Sequence, residues 1–361
     1  MGLDKDKLFF TKKILKWNTD ENKRIMPWKG ESDPYKIWLS EIILQQTRVE
    51  QGLDYYNRFL KAYPSISKLA NAPQERVFKL WEGLGYYSRC KNLIATSRFI
   101  HQERKGKFPD TYKDILSLKG VGPYTAAAIA SFAFNLPYAV VDGNVFRVLS
   151  RFFGIDLATD STAGKKYFTS LANDLLDKKK AGIYNQAIMD FGALICKPKN
   201  PECSVCPLKG NCIAQSMGLV DKLPVKEGKL IKRSRWLYYL VIDHEGKVYV
   251  RRRSSKDIWQ NLYEFVLLEA DKQLTINAIK RSPVFTKIKD KNKIEIVSLS
   301  GINRQVLTHQ VIQGRFIHIR IKKAIQLQGY KAVSLKRLTK LPFPKFINSY
   351  LAENEIGAFE R

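Results

Sequence analysis

Residues 116–128 read LSLKGVGPYTAAA, and this stretch predicts a tight turn between two helices. Pro123 suits the first position of the second helix. Gly120 and Gly122 let backbone N–H groups approach a phosphate closely, and the N-terminus of the following helix favours an anion. The stretch therefore predicts a sequence-independent contact with a phosphate backbone. The alternative is an ordinary helical corner without a ligand.

The composition is basic along the whole chain. The 361 residues include 62 Lys and Arg and 34 Asp and Glu, which gives a formal net charge of +28. Residues 1–220 carry 33 basic and 21 acidic side chains, and residues 221–361 carry 29 and 13. A polyanion is the partner that this charge favours, with nucleic acid first. A solvated basic surface, or one that rests on anionic lipid, is the alternative.

Several classes of protein are excluded by the same sequence. Apolar residues make up 45% of the chain, too many for a disordered protein, and 361 residues suggest two domains. No apolar run reaches the roughly 20 residues of a membrane span. Residues 1–16 lack the apolar core of a signal peptide. We therefore expect an intracellular, cytoplasmic protein with no membrane partner.

The periodicity of apolar residues changes along the chain. Residues 1–217 have apolar positions three and four apart, which predicts a helical domain. Residues 218–235 are polar and charged and are interpreted as a linker. Residues 236–361 predict an α+β domain with a helix after Leu274. Its predicted strands are Trp236–Asp243, Val248–Arg252, Lys293–Ser298, Gln305–Ile312 and Arg315–Ile321.

Four of the five cysteines lie close together, at Cys196, Cys203, Cys206 and Cys212. Such a group in an intracellular protein indicates a metal centre rather than disulfides. Zinc commonly uses two CxxC pairs, and this loop has only one, so the spacing favours a bulkier [4Fe–4S] cluster over zinc. We expect the metal to stabilise the fold. The distant Cys90 is interpreted as a small buried apolar residue.

Two carboxylates stand in different surroundings. Glu41 lies in the apolar stretch 37–47, IWLSEIILQQT, so burial is expected to raise its pKa and make it a general acid. Asp142 precedes a helical pattern at the N-cap position, where its carboxylate is expected to stay ionised. One protonated and one ionised carboxyl group are suited to cleaving glycosidic bonds. The alternatives are a hydrogen-bonded buried Glu and a plain helix cap.

These features resemble one family of DNA repair enzymes. The sequence is similar to adenine DNA glycosylases of the MutY family over nearly all of residues 8–215. The resemblance implies a multidomain protein, with an all-α helix-hairpin-helix domain of the endonuclease III superfamily and an α+β Nudix-like domain. It places the hairpin at 111–131 and a [4Fe–4S] loop at 196–212. The stretches that carry it are 24–28 (RIMPW), 40–47 (SEIILQQT), 83–87 (GLGYY), 118–126 (LKGVGPYTA), 141–147 (VDGNVFR), 185–192 (NQAIMDFG) and the cysteine loop.

One position distinguishes branches of the superfamily. Bifunctional glycosylase/lyases have a catalytic Lys after the hairpin, where this chain has Tyr124. The resemblance therefore implies a monofunctional glycosylase. In the second domain, residues 258–265 (IWQNLYEF) resemble a segment of the family's Nudix-like domain. The acidic metal-binding box of active Nudix hydrolases is missing, so we expect no pyrophosphatase activity.

The resemblance also implies roles for individual residues. Glu41 would protonate adenine N7 and later activate water, and Asp142 would stabilise the oxocarbenium ion. The family reads 8-oxoguanine with a Phe-Ser-His tripeptide, which corresponds to Leu307, Thr308 and His309. Supporting roles fall to Tyr124 and Asn144 in catalysis, to Arg24, Trp28, Leu44 and Gln186 around adenine, to Gln46 and Tyr86 as wedges near the estranged guanine, and to Gly120 and Gly122 on phosphate.

The implied partner is duplex DNA with adenine opposite 8-oxoguanine or guanine, bound by a monomer. Three alternatives stay open. The first is a pyrimidine-specific glycosylase/lyase of the same superfamily. The second is a non-enzymatic iron–sulfur regulator that binds DNA, and the third is a repair factor that zinc holds together.

Overall fold

The computed structural model describes residues 2–228 and 232–354. Its contacts divide the chain into two compact units. The first unit comprises Met1–Asn71 and Asn92–Gly228, and the second comprises Ala72–Lys91 and Lys229–Arg361. Within the described ranges, no helix is both long enough and apolar enough to cross a membrane.

The first unit is built from helices, as the spacing of its apolar residues predicts. A single 3₁₀ turn at Lys209–Asn211 lies in the cysteine loop. The α-helices of residues 2–216 are α1 (Gly2–Asp20), α2 (Pro34–Leu44), α3 (Val49–Ala62), α4 (Ile66–Ala70), α5 (Gln74–Trp81), α6 (Tyr87–Glu103), α7 (Tyr112–Leu116), α8 (Pro123–Phe134), α9 (Gly143–Phe153), α10 (Thr162–Leu175), α11 (Ala181–Leu194) and α12 (Ile213–Ser216). Of these, α5 belongs to the second unit, and α6 begins in the second unit and ends in the first.

These helices pack against one another in two places. One core lies between α1, α9, α10 and α11, where the ring of Trp17 meets that of Phe191 edge-on at 5.1 Å. A second contact joins α8 to α2 and α11. The small residues of α8 allow close approach, and a Cβ atom on Gly182 of α11 would lie 2.6 Å from the Ser131 carbonyl oxygen. The helices that carry the candidate carboxylates, α2 and α9, are therefore closely packed against their neighbours.

The predicted turn between two helices is confirmed between α7 and α8. Gly120 has φ +84°, a left-handed conformation that glycine adopts at little cost. A Cβ atom there would also lie 2.7 Å from the Asn92 Cβ. Nothing lies within 4 Å of the position that a Cβ on Gly122 would take, so this part of the turn is open to a ligand. Pro123 begins α8, as predicted.

The second unit contains an eight-stranded sheet with helices, which agrees with the predicted α+β class. The elements are β1 (Arg233–His244), β2 (Lys247–Arg252), β3 (Tyr263–Glu264), β4 (Val266–Ala270), α13 (Ile276–Lys280), α14 (Pro283–Lys289), β5 (Glu295–Leu299), β6 (Asn303–Val306), β7 (Gln310–Arg320), β8 (Lys331–Ser334), α15 (Leu335–Leu338) and α16 (Lys345–Glu353). The central path of the sheet runs β3-β2-β1-β7-β5, and the β1–β7 pair is parallel. Apolar residues of β1, β7, α13 and α14 contribute to its core.

Two of the predicted strands are wrong in their limits. The predicted strand Gln305–Ile312 is broken, because β6 ends at Val306 and β7 begins at Gln310. The predicted break before Arg315 is absent, and β7 runs through Gly314. A Cβ atom on Gly314 would lie 1.7 Å from the Leu237 carbonyl oxygen, so this glycine allows close strand pairing instead of ending the strand.

Candidate active site

Glu41 lies in the last turn of α2 and is buried, with 7% of its surface exposed. The helix begins with Asp33 as N-cap and Pro34 at its first position, and apolar residues cover nearly all of its circumference. Burial raises the pKa of Glu41 from its ordinary 4.5 to about 7. A hydrogen bond from Tyr124 lowers this pKa, and the nearby Asp142 raises it. The predicted buried acid is therefore present, and the Glu41 carboxyl group can hold its proton near neutral pH.

Tyr124 reaches Glu41 from the first turn of α8. Its hydroxyl group donates a hydrogen bond to the Glu41 carboxyl group, and burial raises the tyrosine pKa well above its ordinary value. The nearby charges of Glu41 and Asp142 raise it further. The phenol therefore stays protonated and acts as a fixed donor beside the two acids.

Asp142 caps the N-terminus of α9, as predicted. Its Oδ1 accepts a hydrogen bond from the Val145 backbone N–H at 2.8 Å, and its Oδ2 accepts one from Asn144 Nδ2 at 2.8 Å. Burial nevertheless raises the pKa of Asp142, although these hydrogen bonds and the charge of Arg147 oppose the shift. The direction is opposite to what an N-cap alone produces, because the side chain is more enclosed than the sequence suggested.

A chain of hydrogen bonds runs from Asp142 to the cysteine loop. Asn144 donates to Asp142, and its own Oδ1 accepts from Arg147 Nη2 at 2.8 Å. Arg147 also donates from Nη2 to the Gly192 carbonyl oxygen and from Nε to the Cys196 carbonyl oxygen, both at 2.7 Å. The side chain of Arg147 is therefore fixed at both ends. Sequence analysis assigned no role to this residue, although it lies in the VDGNVFR stretch.

Three of the predicted pocket residues of the first unit have partners that fix their side chains. Arg24 and Gln186 both donate to Asp190, Arg24 from Nη1 at 2.9 Å and Gln186 from Nε2 at 3.0 Å. Trp28 is half-buried, and its ring meets that of Tyr56 edge-on at 5.3 Å. Sequence analysis missed Asp190, yet an acid among the apolar residues of α11 is the same signal that identified Glu41.

Two further predicted residues follow directly on Glu41 in the chain. Leu44 is the last residue of α2 and is half-buried. Gln46 is exposed and has φ +56°, a left-handed conformation that is unusual for a residue with a side chain. Such strained positions cluster at functional sites and are consistent with a contact residue at the end of α2.

Three predicted residues lie in the second unit. The hydroxyl groups of Tyr86 and Thr308 share a hydrogen bond. Tyr86 has φ +48° and is 41% exposed. Thr308 and His309 lie in the turn between β6 and β7, where the His309 carbonyl oxygen accepts from Arg233 N at 3.0 Å. The structure therefore brings together two residues that the resemblance assigned separately to the guanine side.

The IWQNLYEF segment is held by ion pairs. Glu264 is 1% exposed, and its two carboxylate oxygens accept from Arg251 and Arg253. Arg253 also donates to the Ile258 carbonyl oxygen at 3.1 Å and to Asp257 at 2.9 Å. A carboxylate bonded to two guanidinium groups stabilises the structure of this segment.

The four cysteines of the loop lie near one another. Burial raises the pKa of Cys206 to about 12, and the nearby Cys196, Cys212 and Cys203 raise it as well. Arg151 Nη1 donates to Cys196 Sγ at 3.5 Å. Within residues 2–228 and 232–354, no group of three or more His, Cys, Asp or Glu side chains meets the geometry for one metal ion. Four partly buried cysteines in one loop nevertheless supply the number and type of donors that a [4Fe–4S] cluster takes.

The fold and the site together define a class of protein. The model of the HhH-GPD superfamily, base excision DNA repair proteins, matches residues 39–172, and the NUDIX domain model matches residues 237–353. The protein is thus a helix-hairpin-helix base excision repair protein that carries a NUDIX domain. The predicted fold class is confirmed.

Similar proteins identify the family within this class. The adenine DNA glycosylase of Buchnera aphidicola subsp. Baizongia pistaciae is 35% identical over 264 residues, which cover 72% of this chain and 73% of that protein. The mouse adenine DNA glycosylase is 42% identical over 57% of this chain and 41% of its own length. The chain belongs to the adenine DNA glycosylase family, as its motifs suggested.

Solved structures agree on the fold of the helical part. A thermostable thymine-DNA glycosylase superposes with a TM-score of 0.55 and 31% identity, over 60% of this chain and all of that one. Endonuclease III in a non-covalent complex with DNA gives a TM-score of 0.51 at 20% identity, over 59% of this chain and 96% of that one. Because one helical fold occurs in glycosylases named for different bases, the pocket residues must decide which base is removed.

Proposed function

We propose that this protein is a monofunctional adenine DNA glycosylase of base excision repair. It hydrolyses the N-glycosidic bond of adenine that is mispaired with 8-oxoguanine or guanine in duplex DNA. The observation that carries the proposal is the buried Glu41 carboxyl group, with a pKa of about 7, near Tyr124 and Asp142. Family membership supports the same assignment.

The first step is protonation of the base. Adenine must leave the helical stack before it can reach a buried acid, at a cost of a few kcal/mol. Glu41 then donates its proton to adenine N7, so the electron pair of the breaking C1′–N9 bond moves into a neutral leaving group. A carboxylic acid with a pKa near the working pH is well suited to this transfer.

The second step is stabilisation of the sugar cation. Loss of adenine leaves positive charge on C1′ and the ring oxygen, and the Asp142 carboxylate faces that charge. Asn144 and the Val145 amide hold the Asp142 oxygens at 2.8 Å, so the carboxylate needs little reorganisation. The Glu41 carboxylate, now deprotonated, takes a proton from the attacking water and returns to its starting state.

Tyr124 supports a monofunctional reaction. A lyase needs an amine that attacks C1′ and forms a Schiff base. The hydroxyl group of Tyr124 is bonded to Glu41, and burial keeps it protonated, so it supplies a hydrogen bond instead of a nucleophile.

We propose that Tyr86 and Thr308 of the second unit recognise the opposite base. Thr308 supplies a hydroxyl group, and Tyr86, bonded to it, supplies an aromatic ring for stacking. Gly122 leaves the hairpin turn open to a DNA phosphate, and Gly120 supplies the left-handed conformation of that turn. We propose that the protein acts on DNA as a monomer.

Cys196, Cys203, Cys206 and Cys212 fit a [4Fe–4S] cluster. When bound, the cluster would supply cross-linking of the loop through four thiolate bonds. Arg147 and Arg151 fix the loop from α9 through its carbonyl oxygens and the Cys196 thiol. These contacts connect the loop to the helix that Asp142 caps.

The test is single-turnover release of adenine from duplexes with adenine opposite 8-oxoguanine, guanine or thymine. The proposal predicts rapid release in the first two and none from the A·T pair. Release of a pyrimidine, or a covalent DNA complex that borohydride traps, would favour a glycosylase/lyase. Binding without release of any base would favour a DNA-binding regulator.

A further inference from the structure

Asp190 is a fully buried acid that the mechanism above does not use. It lies on α11 with 0% of its surface exposed. Oδ1 accepts from Arg24 Nη1 at 2.9 Å and from Gln186 Nε2 at 3.0 Å. Oδ2 accepts from Asn22 Nδ2 at 2.9 Å and lies 3.1 Å from Lys29 Nζ. Two cations and two amides therefore surround one side chain.

This arrangement determines the orientation of the Gln186 amide. The two Asp190 oxygens accept from one cation and two amide groups and lie beside a second cation, so this carboxyl group acts as an acceptor. The NH₂ end of Gln186 must therefore face Asp190. The half-buried Gln186 then presents its carbonyl oxygen Oε1 away from Asp190, and no described residue donates to that oxygen.

We propose that Asp190 is a positioning residue for base selectivity, because it fixes Gln186 with its carbonyl oxygen toward the extruded base. This inference rests on the proposed function and on the place around adenine that the family resemblance implies for Gln186. A fixed acceptor fits the 6-amino group of adenine, which donates. It opposes the 6-oxo group of guanine or hypoxanthine, which accepts, and it gains nothing from purine, which has hydrogen there.

A merely structural role makes a different prediction. If Asp190 only anchored Arg24 and Lys29, its loss would lower the release of every base by the same factor. If it orients Gln186, its loss lets the amide rotate and lowers the preference for adenine. The ratio of adenine release to purine release, each measured in single turnover opposite the same base, separates the two.

The experiment exchanges donor and acceptor between the two residues. Asp190→Asn frees the Gln186 amide, and Gln186→Glu puts two carboxylates face to face. In the double variant Gln186→Glu with Asp190→Asn, the Asn amide donates to the Glu carboxylate, whose second oxygen is again an acceptor for the base. We expect each single variant to lower the adenine-to-purine ratio about tenfold. The double variant should return to within about threefold of the unaltered protein.

Asp174→Asn is the matched control. It makes the same chemical change at the exposed Asp174 of α10, which pairs with Lys7 of α1, and it should leave the ratio unchanged. The double variant keeps one carboxylate beside Arg24 and Lys29, so it remains informative if Asp190→Asn alone fails to fold.

Three outcomes would contradict the proposal. A folded Asp190→Asn protein with the ratio of the unaltered protein would reduce Asp190 to an anchor. A double variant no better than the worse single variant would exclude the amide exchange. If the unaltered protein releases no adenine, the proposed function fails and this inference fails with it. If the unaltered protein releases adenine and the variants keep its adenine-to-purine ratio, only this inference fails.

Discussion

Glu41 and Asp190 are both acids buried on apolar helices of the same unit, yet their surroundings differ. Glu41 meets a tyrosine hydroxyl group and another acid, and its pKa is about 7. Asp190 meets Arg24, Lys29 and two amide groups, each within 3.1 Å. The Glu41 side chain can gain and lose a proton near neutral pH, whereas the Asp190 side chain is held by ion pairs and hydrogen bonds on both of its oxygens.

Burial alone therefore does not make a catalytic acid. Glu264 of the second unit is as buried as Asp190 and likewise lies between two cations, here the guanidinium groups of Arg251 and Arg253. In both cases the cations offset the cost of removing a charge from water, and the acid fixes its neighbours. Glu41 has no cation among the groups that shift its pKa, so the cost of burial remains and favours the protonated form.

Glu41→Gln should have the largest effect on activity. The amide has nearly the same shape but cannot donate a proton to adenine N7, so release should fall at least about 10³-fold in single turnover. Binding to a duplex that contains the mismatch should survive. Glu50→Gln, an exposed change in the first turn of α3, is the control. Near-normal release by Glu41→Gln would refute the acid assignment.

Asp142→Asn should lower adenine release by about 10²- to 10³-fold, because the charge that faces the sugar cation is lost. Asn is also a good N-cap, so the melting temperature should change little. Both quantities are measured on the same preparation. Retained cleavage with a normal melting temperature would reduce Asp142 to a helix cap.

Substitutions of the two buried acids should change stability in opposite directions. The folded-state pKa of Glu41 is raised, so the protein loses stability as pH rises from about 4.5 to about 7, by on the order of 3 kcal/mol. Glu41→Gln should restore this amount above pH 7 and nothing below pH 4.5. Asp190→Asn should instead cost about 3 kcal/mol at neutral pH, because two partly buried cations lose the anion that they share. Urea unfolding at several pH values measures both, and equal signs would contradict the contrast.

The pH dependence of adenine release should follow the proton on Glu41. A general acid works in its protonated form, so the single-turnover rate should fall about tenfold per pH unit above about pH 7. The Thr308→Val protein is a suitable comparison because its acid is unchanged. A rate that stays constant from about pH 6 to pH 9 would exclude Glu41 as the limiting acid.

Thr308→Val should have the smallest effect. It removes the hydroxyl group bonded to Tyr86 but keeps the shape of the side chain. We expect the preference for adenine opposite 8-oxoguanine over guanine to fall several-fold, with little change for the guanine mismatch. Thr339→Val, in the same unit, makes the same change at an exposed hydroxyl group. An unchanged preference would separate Thr308 from lesion reading.

The sequence predicted those parts of the site that depend on local pattern. The apolar surroundings of Glu41, the cap position of Asp142 and the glycine turn all follow from residues within a few positions. The partners of Asp190 could not be predicted in this way, because Arg24 donates to it from 166 residues away. The bond between Tyr86 and Thr308 joins residues 222 positions apart, and no local pattern predicts it. The raised pKa of Asp142 likewise depends on how neighbouring helices enclose it.

The most direct test of the account is the titration of Glu41 itself. Carbon-13 NMR of protein labelled at the glutamate carboxyl carbon, with the signal assigned by its loss in Glu41→Gln, follows one proton with pH. The account predicts a midpoint near pH 7. A midpoint near the ordinary value of 4.5 would mean that Glu41 is ionised when adenine arrives, and it would contradict the account.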